Sequence, residues 1–247
     1  MNKIKQAIEA IIREEINNSG SGYYREPLIG YAAAGDPIFL DFPRIMNPQH
    51  LQPADLLKDA QTVVAFFLPF TKEIIVNNRR GMLATREWAE VYVKTNELIS
   101  RIGAALKRNL AREGVTLEAP PPTYVFDPDL LMAAWSHKHI AYACGLGVFG
   151  RNHLLITSKG CGGRFGSAVL NAALEATDRP RIIHRCFYHI NGCNYCRQIC
   201  PAGALESSGF KRHACYRQCR LNNESYRELG SCEVCGKCAT GPCAYLE

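Results

Sequence analysis

No run of apolar residues in this 247-residue sequence reaches the about 18 residues that a membrane-spanning helix needs. Residues 1–9 alternate charged and apolar side chains, whereas a secretory signal peptide needs an uninterrupted apolar stretch. Apart from two cysteine runs, the sequence contains neither an internal repeat nor a low-complexity tract. We therefore predict a cytoplasmic protein with no membrane partner, long enough to bury a substantial core.

Cysteine, by contrast, is abundant, with twelve in the chain. In a reducing cytosol this number argues against a disulfide framework and favours metal ligation or redox chemistry. Residues 181–247 carry nine Lys and Arg against five Asp and Glu, which is +4 of the formal net charge of +6. Two iron-sulfur cubanes, each with about two negative charges, would cancel that local excess. The basic composition therefore gives no support to a nucleic-acid partner.

Two cysteine runs have the spacing of ferredoxin-type cluster motifs. The first is Cys-x2-Cys-x3-Cys-Pro over residues 193–201, and the second is Cys-x2-Cys-x4-Cys over residues 235–243. In such runs the cysteine before the proline usually ligates the other cluster. We predict two [4Fe-4S] clusters, one held by Cys186, Cys193, Cys196 and Cys243 and the other held by Cys200, Cys215, Cys235 and Cys238.

Four further cysteines leave alternatives open. Cys219 and Cys232 lie close to the runs and are reserve ligands. Cys144 and Cys161 lie outside the runs and are predicted to be buried, inert thiols. Structural zinc also uses Cys-x2-Cys pairs, but it gives no reason for the Cys-Pro ending, so the pattern favours iron-sulfur clusters.

The preceding part of the chain alternates helical and strand patterns, which indicates a mixed α/β domain. We predict two domains, an α/β cofactor or substrate domain over residues 1–180 and an iron-sulfur domain over residues 181–247. The expected elements are an amphipathic helix from residue 4 that stops within residues 17–22, a loop over 35–55, a buried strand over 62–69, a long helix over 85–112, a helix from about 128 to 144 capped by Asp127, and strands over 153–157 and 165–174.

Gly145, Gly147 and Gly150 match the spacing of a dinucleotide-binding fingerprint. That fingerprint follows a strand and opens a helix, so that the helix N-terminus faces the pyrophosphate. Here a helix is predicted before the glycines and a strand after them. The context therefore argues against NAD binding.

Residues 136–157, SHKHIAYACGLGVFGRNHLLIT, resemble the core motif of the epoxyqueuosine reductase-like family. Residues 160–169 resemble the strand that follows in that family, and residues 193–205 resemble its first cluster motif. The resemblance implies an α/β (α+β) fold, namely a nitroreductase-like or cobalamin-processing-like sandwich followed by a ferredoxin-like module with two [4Fe-4S] clusters. It also implies a corrinoid (cobalamin) above the clusters, as in the related reductive dehalogenases.

The resemblance also implies site residues. The family's proton-donating aspartate precedes the glycine motif, which makes Asp127 the catalytic candidate, with Asp129 nearby. Gly145, Gly147, Gly150 and Arg151 would bound the cofactor cavity. Arg151 and Arg164 either bind an anionic cofactor tail or are solvated, and His137 faces either the cavity or solvent.

These patterns together predict an iron-sulfur oxidoreductase. Its two clusters would pass electrons from a donor protein or reductant to a cofactor or substrate in the α/β domain. The substrate would be a small molecule or a modified nucleoside. The alternative is a non-catalytic electron-transfer or accessory protein that docks to a partner enzyme.

Overall fold

The computed structural model describes residues 2–179 and 185–247, so the predicted domain boundary at 180–181 lies outside the described residues. The helices are α1 (Asn2–Asn18), α2 (Ile38–Ile45), α3 (Pro53–Leu56), α4 (Lys72–Asn77), α5 (Arg86–Ala111), α6 (His137–Ala143), α7 (Phe187–Asn191), α8 (Tyr195–Gln198) and α9 (Arg212–Ser225). The strands are β1 (Leu28–Ala33), β2 (Thr62–Pro69), β3 (Leu117–Glu118), β4 (Tyr124–Asp127), β5 (Met132–Trp135), β6 (Gly147–Phe149), β7 (Leu155–Thr157) and β8 (Gly163–Leu170). Within these ranges no helix is long and apolar enough to cross a membrane.

A four-stranded antiparallel sheet with the order β1-β2-β8-β3 forms the centre of the molecule. Every residue of β2 is buried, as the unbroken apolar run over 62–69 predicts for a strand covered on both faces. Alternate side chains of β2 point to opposite faces. Val64, Phe66 and Leu68 pack towards α1 and α5, whereas Val63, Ala65 and Phe67 pack towards α2 and α6.

The result is a three-layer α/β sandwich, so the predicted mixed α/β architecture is confirmed. In α1, Ile8 and Ile12 are fully buried in the core that α5 shares. This packing makes α1 part of the sandwich. The long helix is also as predicted, since Thr85 caps α5 by accepting a hydrogen bond from the amide of Trp88 at 3.4 Å.

The predicted helix from 128 to 144 is wrong in its first half, where the chain forms the β4-β5 hairpin. The Oδ1 atom of Asp127 accepts hydrogen bonds from the amides of Asp129 and Leu130, both at 2.8 Å. Asp127 therefore closes a turn between two strands and does not cap a helix. The prediction of a loop over 35–55 is also wrong, because α2 and the first three residues of α3 lie within it. The strand predicted at 165–174 is β8, which begins and ends earlier.

The glycine segment has the predicted context, because α6 precedes it and β6 follows. Gly145 has a φ of +77° after the end of α6, a conformation that favours glycine. A Cβ atom on Gly147 would lie 2.3 Å from the carbonyl oxygen of Ile156 in β7. Chain reversal after α6 thus explains Gly145, and the close pairing of β6 with β7 explains Gly147.

The cysteine-rich segment, 185–247, contains α7, α8, α9 and two short 3-10 helices, Arg227–Leu229 and Lys237–Ala239. Its ferredoxin-like architecture stays a prediction. The end of the segment pairs with the chain before β8, since the amide of Gly162 donates to the carbonyl of Ala244 at 2.9 Å. Phe70 and Trp88 share a buried apolar cluster with Cys186 and Ala239. The segment is therefore packed against the sandwich.

Candidate metal and cofactor site

A cavity of about 520 Å³, here called the cysteine cavity, lies where the cysteine-rich segment meets the sandwich. A second cavity of about 600 Å³, the hairpin cavity, adjoins it beside the β4-β5 hairpin. The two share wall residues, among them Tyr92, Phe126, Lys138 and His153. They therefore form one recess with walls from both parts of the chain.

The four cysteines predicted for the second cluster all line the cysteine cavity: Cys200, Cys215, Cys235 and Cys238. Burial raises the pKa of the Cys238 thiol, and the charges of Cys215, Cys235 and Cys200 raise it further. Cys200 belongs to the first cysteine run, yet it lies with the cysteines of the second. The amide of Ala204 donates a hydrogen bond to the sulfur of Cys200 at 3.3 Å.

In the set predicted for the first cluster, Cys196 interacts with each of the other three cysteines. Burial raises the pKa of Cys196, and the charges of Cys243, Cys186 and Cys193 raise it further. Cys243 belongs to the second run, so each run contributes one cysteine to the neighbourhood of the other. An exchange of Cys200 and Cys243 between clusters needs such proximity, and the exchange itself stays a prediction.

Two cysteines outside these sets contact predicted ligands. The Cys219 thiol donates to the sulfur of Cys215, which lowers the pKa of Cys215. The sulfur of Cys161 lies 4.0 Å from that of Cys243, and this hydrogen bond raises the pKa of Cys161. Cys161 is buried as predicted, but it is not isolated from the candidate site.

The other two cysteines have structural surroundings. Cys232 is fully buried and donates to the carbonyl of Tyr226 at 3.5 Å. Cys144 is also fully buried and donates to the carbonyl of Val63 at 3.5 Å, which fits the predicted inert thiol. Over residues 2–179 and 185–247, no group of three or more His, Cys, Asp or Glu side chains is arranged to hold a single metal ion.

Two lysines bring positive charge to the cysteine cavity. The Nζ atom of Lys138 donates to the carbonyl of His153 at 2.9 Å, and burial lowers the pKa of Lys138. Lys237 is buried, and its Nζ atom donates to the carbonyls of Asn78 and Arg80 at 2.7 and 2.6 Å. The ammonium groups therefore sit beside thiols that would be anionic when they ligate a metal.

His137 is buried in the cavity wall, where burial lowers its pKa to about 4. The imidazole is therefore neutral at pH 7. Its Nε2 atom lies 3.0 Å from the carbonyl oxygen of Pro121, so Nε2 carries the proton. The Ser167 hydroxyl then donates to Nδ1 over 2.7 Å and accepts from the Trp135 indole over 2.9 Å. This series of hydrogen bonds holds the His137 imidazole neutral and in a fixed orientation.

The other sequence-predicted site residues are dispersed. Asp127 is half-buried at the hairpin turn, and neither it nor Asp129 is among the described residues that line the two adjoining cavities. Gly150 borders the hairpin cavity. The guanidinium of Arg151 stacks on the ring of Tyr188 at 3.9 Å.

Sequence reasoning missed several residues that line or support the cavity. Lys237 stands inside the second Cys-x2-Cys pair, so its position in the motif is a signal that could have identified it. Asn152 also had no assigned role, although its Nδ2 atom donates to the sulfur of Cys161 at 3.5 Å and to the carbonyl of Cys238 at 3.1 Å. Asn152 thereby links the sandwich to the cysteine-rich segment.

No sequence model of a known family and no curated protein matches the chain. Solved structures do match it. The epoxyqueuosine reductase from Streptococcus thermophilus has a TM-score of 0.58 and 17% identity, covering 99% of this chain and 66% of that one. An epoxyqueuosine reductase bound to an epoxyqueuosine-modified tRNA-Tyr stem loop has a TM-score of 0.58 and 16% identity, covering 96% and 66%.

A reductive dehalogenase, whose structure suggests a mechanism for B12-dependent dehalogenation, has a TM-score of 0.51 and 14% identity, covering 73% of this chain and 23% of that one. The chain thus spans just under two thirds of the length of these epoxyqueuosine reductases and about a quarter of the dehalogenase. The fold is similar to that of both groups of reductases. At the level of the fold, the resemblance predicted from the sequence is confirmed.

Proposed function

We propose that this protein is an iron-sulfur reductase whose two [4Fe-4S] clusters deliver electrons to a cofactor or substrate in the cysteine cavity. One observation carries the proposal: all four cysteines of one predicted ligand set line the wall of a cavity that the sandwich completes. A cluster on these cysteines would border whatever molecule occupied the cavity. The fold shared with two groups of reductases supports the same assignment.

The donor chemistry fits two cubanes. Thiolates are the ligands that iron-sulfur clusters use, and in each set one cysteine, Cys196 or Cys238, interacts with the other three. Buried thiolates that repel one another are stable only beside positive charge, which the iron of a cluster would supply. The amide that donates to Cys200 matches the hydrogen bonds to sulfur that tune cluster potentials.

A relay from one cluster to the other is part of this proposal. Cys196 of the first set is close enough to raise the pKa of Cys238 in the second. The second set lines the cysteine cavity, so electrons would enter at the first cluster and leave through the second. An external donor protein or reductant would supply the first cluster.

We further propose a corrinoid as the group that the recess binds. The two adjoining cavities together offer about 1,100 Å³ (about 520 and about 600 Å³), and the similar dehalogenase fold belongs to a protein whose structure suggests a mechanism for B12-dependent dehalogenation. A bound corrinoid would supply a reducing metal centre next to the second cluster. The side chains of Phe149, His139 and Phe210 would border it, and Lys138 would hold positive charge beside it.

Binding of hydroxocobalamin to the anaerobically reconstituted protein tests this function. After gel filtration, we expect corrin absorbance at about one equivalent per chain, together with the broad cluster absorbance. Clusters with no affinity for hydroxocobalamin or flavin would contradict the reductase assignment and favour the electron carrier. A matched control is Cys232→Ala, because Cys232 is buried away from the cavity wall and its loss should leave both absorbances unchanged.

A further inference from the structure

Arg164 occupies an unusual position in the wall of the cysteine cavity. It is the second residue of β8, and its backbone is fixed opposite Leu68 by antiparallel pairing. Its guanidinium carbon lies 4.1 Å from the centre of the Tyr92 ring, so the plane of the group is held by stacking. The Nε atom is buried and has no hydrogen-bond partner among the described residues. A buried donor without a partner is costly and calls for an acceptor.

The described wall residues offer that guanidinium no anionic partner. Glu233 is the single carboxylate among the described residues that line the two adjoining cavities, and the Tyr216 hydroxyl lies 3.1 and 3.2 Å from its two oxygens. Lys138 and Lys237 donate to backbone carbonyls. His137 is neutral, with both ring nitrogens already hydrogen-bonded. Arg212 also lines the hairpin cavity, but among the described wall residues of the recess Arg164 is the cation with a buried donor that lacks an acceptor.

We propose that Arg164 anchors an anionic group, a carboxylate or a phosphate, of the molecule that enters the cysteine cavity. A planar guanidinium presents parallel N–H donors that match the two oxygens of such a group. Stacking on Tyr92 orients the donors before the ligand arrives, which reduces the entropy lost on binding. The inference rests on the proposed function only in treating the bound molecule as a substrate or cofactor of the reductase.

Arg151 provides a matched control, because its guanidinium also stacks on a tyrosine ring, that of Tyr188 at 3.9 Å. The two arginines share charge and stacking, but the structure puts Arg164 in the wall of the cysteine cavity. A difference between variants at these positions therefore reports on the cavity and not on net charge. Non-specific binding of anions to a basic protein would respond equally to both substitutions.

The test is calorimetric titration of the cluster-loaded protein with inorganic phosphate and with benzoate at low ionic strength. We expect wild type to bind at least one of them, Arg164→Gln to bind it at least tenfold more weakly, and Arg151→Gln to match wild type. Arg164→Lys keeps the charge but not the paired donors, so its affinity for the anion should lie between those of wild type and Arg164→Gln. The lysine variant also provides the test if the glutamine variant does not fold. Equal affinity in wild type and Arg164→Gln, or no binding of either anion to wild type, would overturn the proposal.

Repeating the titration after saturation with hydroxocobalamin identifies the source of the anion. If the phosphate of the corrinoid tail occupies Arg164, saturation abolishes binding of the probe, and Arg164→Gln weakens hydroxocobalamin binding. If a substrate group occupies Arg164, binding of the probe survives. Iron and sulfide are measured in each sample, so loss of the clusters, which would count against the proposed reductase, is separated from loss of anion binding.

Discussion

The sulfur of Cys161, just before β8, lies 4.0 Å from the sulfur of Cys243, and the amide of Cys161 donates to the carbonyl of Cys243 at 3.0 Å. The two residues are 82 positions apart in the sequence. Cys243 is a predicted ligand of the first cluster, whereas Cys161 belongs to the sandwich. The contact shows that the last part of the cysteine-rich segment is held directly against the sandwich at the candidate site.

This contact predicts a specific cross-link in protein that carries no clusters. With diamide as oxidant, the two thiols lose two protons and two electrons and form a disulfide, because their backbones are already adjacent. Peptide mass mapping should find Cys161 joined to Cys243. In the reconstituted protein Cys243 would ligate iron, so the cross-link should be absent. The same cross-link yield with and without clusters would contradict ligation by Cys243.

The exchange of Cys200 and Cys243 between the clusters predicts a pattern of iron loss. Cys200→Ala and Cys235→Ala should each remove about four irons, and the double variant should lose no more than either single variant. Combining Cys200→Ala with Cys243→Ala should instead remove both clusters. Anaerobic iron and sulfide analysis measures this pattern, with Cys232→Ala as the control that keeps both. Retention of both clusters in Cys200→Ala would refute the exchange.

The neutral state of His137 predicts a loss of stability in acid. The pKa of His137 is about 4 in the folded protein and about 6.5 when unfolded. As the pH falls below 6.5, the unfolded chain therefore gains a proton that the folded chain does not. Between pH 7 and pH 5 the free energy of unfolding should fall by about 2 kcal/mol from this group.

Urea unfolding at several pH values checks this, with wild type and His137→Gln compared in the same cluster state. The variant should show a shallower pH dependence, although burial of His50 and His139 lowers their pKa values and contributes in the same direction. An identical pH dependence in the two proteins would show that His137 titrates normally.

The glycine segment predicts a difference between two alanine substitutions. In Gly147→Ala the new Cβ atom would lie 2.3 Å from the backbone oxygen of Ile156, which cannot move without disturbing the β6-β7 pair. We expect Gly147→Ala to lower the free energy of unfolding by about 1–3 kcal/mol. Gly35→Ala, where nothing lies within 4 Å, should change it by less than about 0.5 kcal/mol. Equal effects in urea unfolding would remove the packing explanation for Gly147.

The elements predicted well from the sequence are those with one dominant signal. The run over 62–69 is apolar throughout because β2 is covered on both faces, and α5 has a long helical period with a cap at Thr85. The pattern at residues 127–131 is ambiguous, because an aspartate followed by proline can either cap a helix or close a turn. The chain adopts the turn because β4 pairs with β5, and the aspartate and proline alone do not distinguish the two structures.

In the candidate site, too, some features follow from a local sequence pattern and others do not. The eight cluster cysteines are predicted from spacing alone, and their assignment to two clusters stays a prediction. The contact of Cys161 with Cys243 and the unpaired Nε of Arg164 depend on residues distant in sequence. No local pattern could reveal either of them.

The measurement that tests the central claim most directly is the iron and acid-labile sulfide content of protein reconstituted without oxygen, combined with electron paramagnetic resonance after reduction. Two cubanes predict about eight irons and eight sulfides per chain and signals from two interacting reduced clusters. One equivalent of zinc with no sulfide, or iron that binds without producing a cluster signal, would contradict the account.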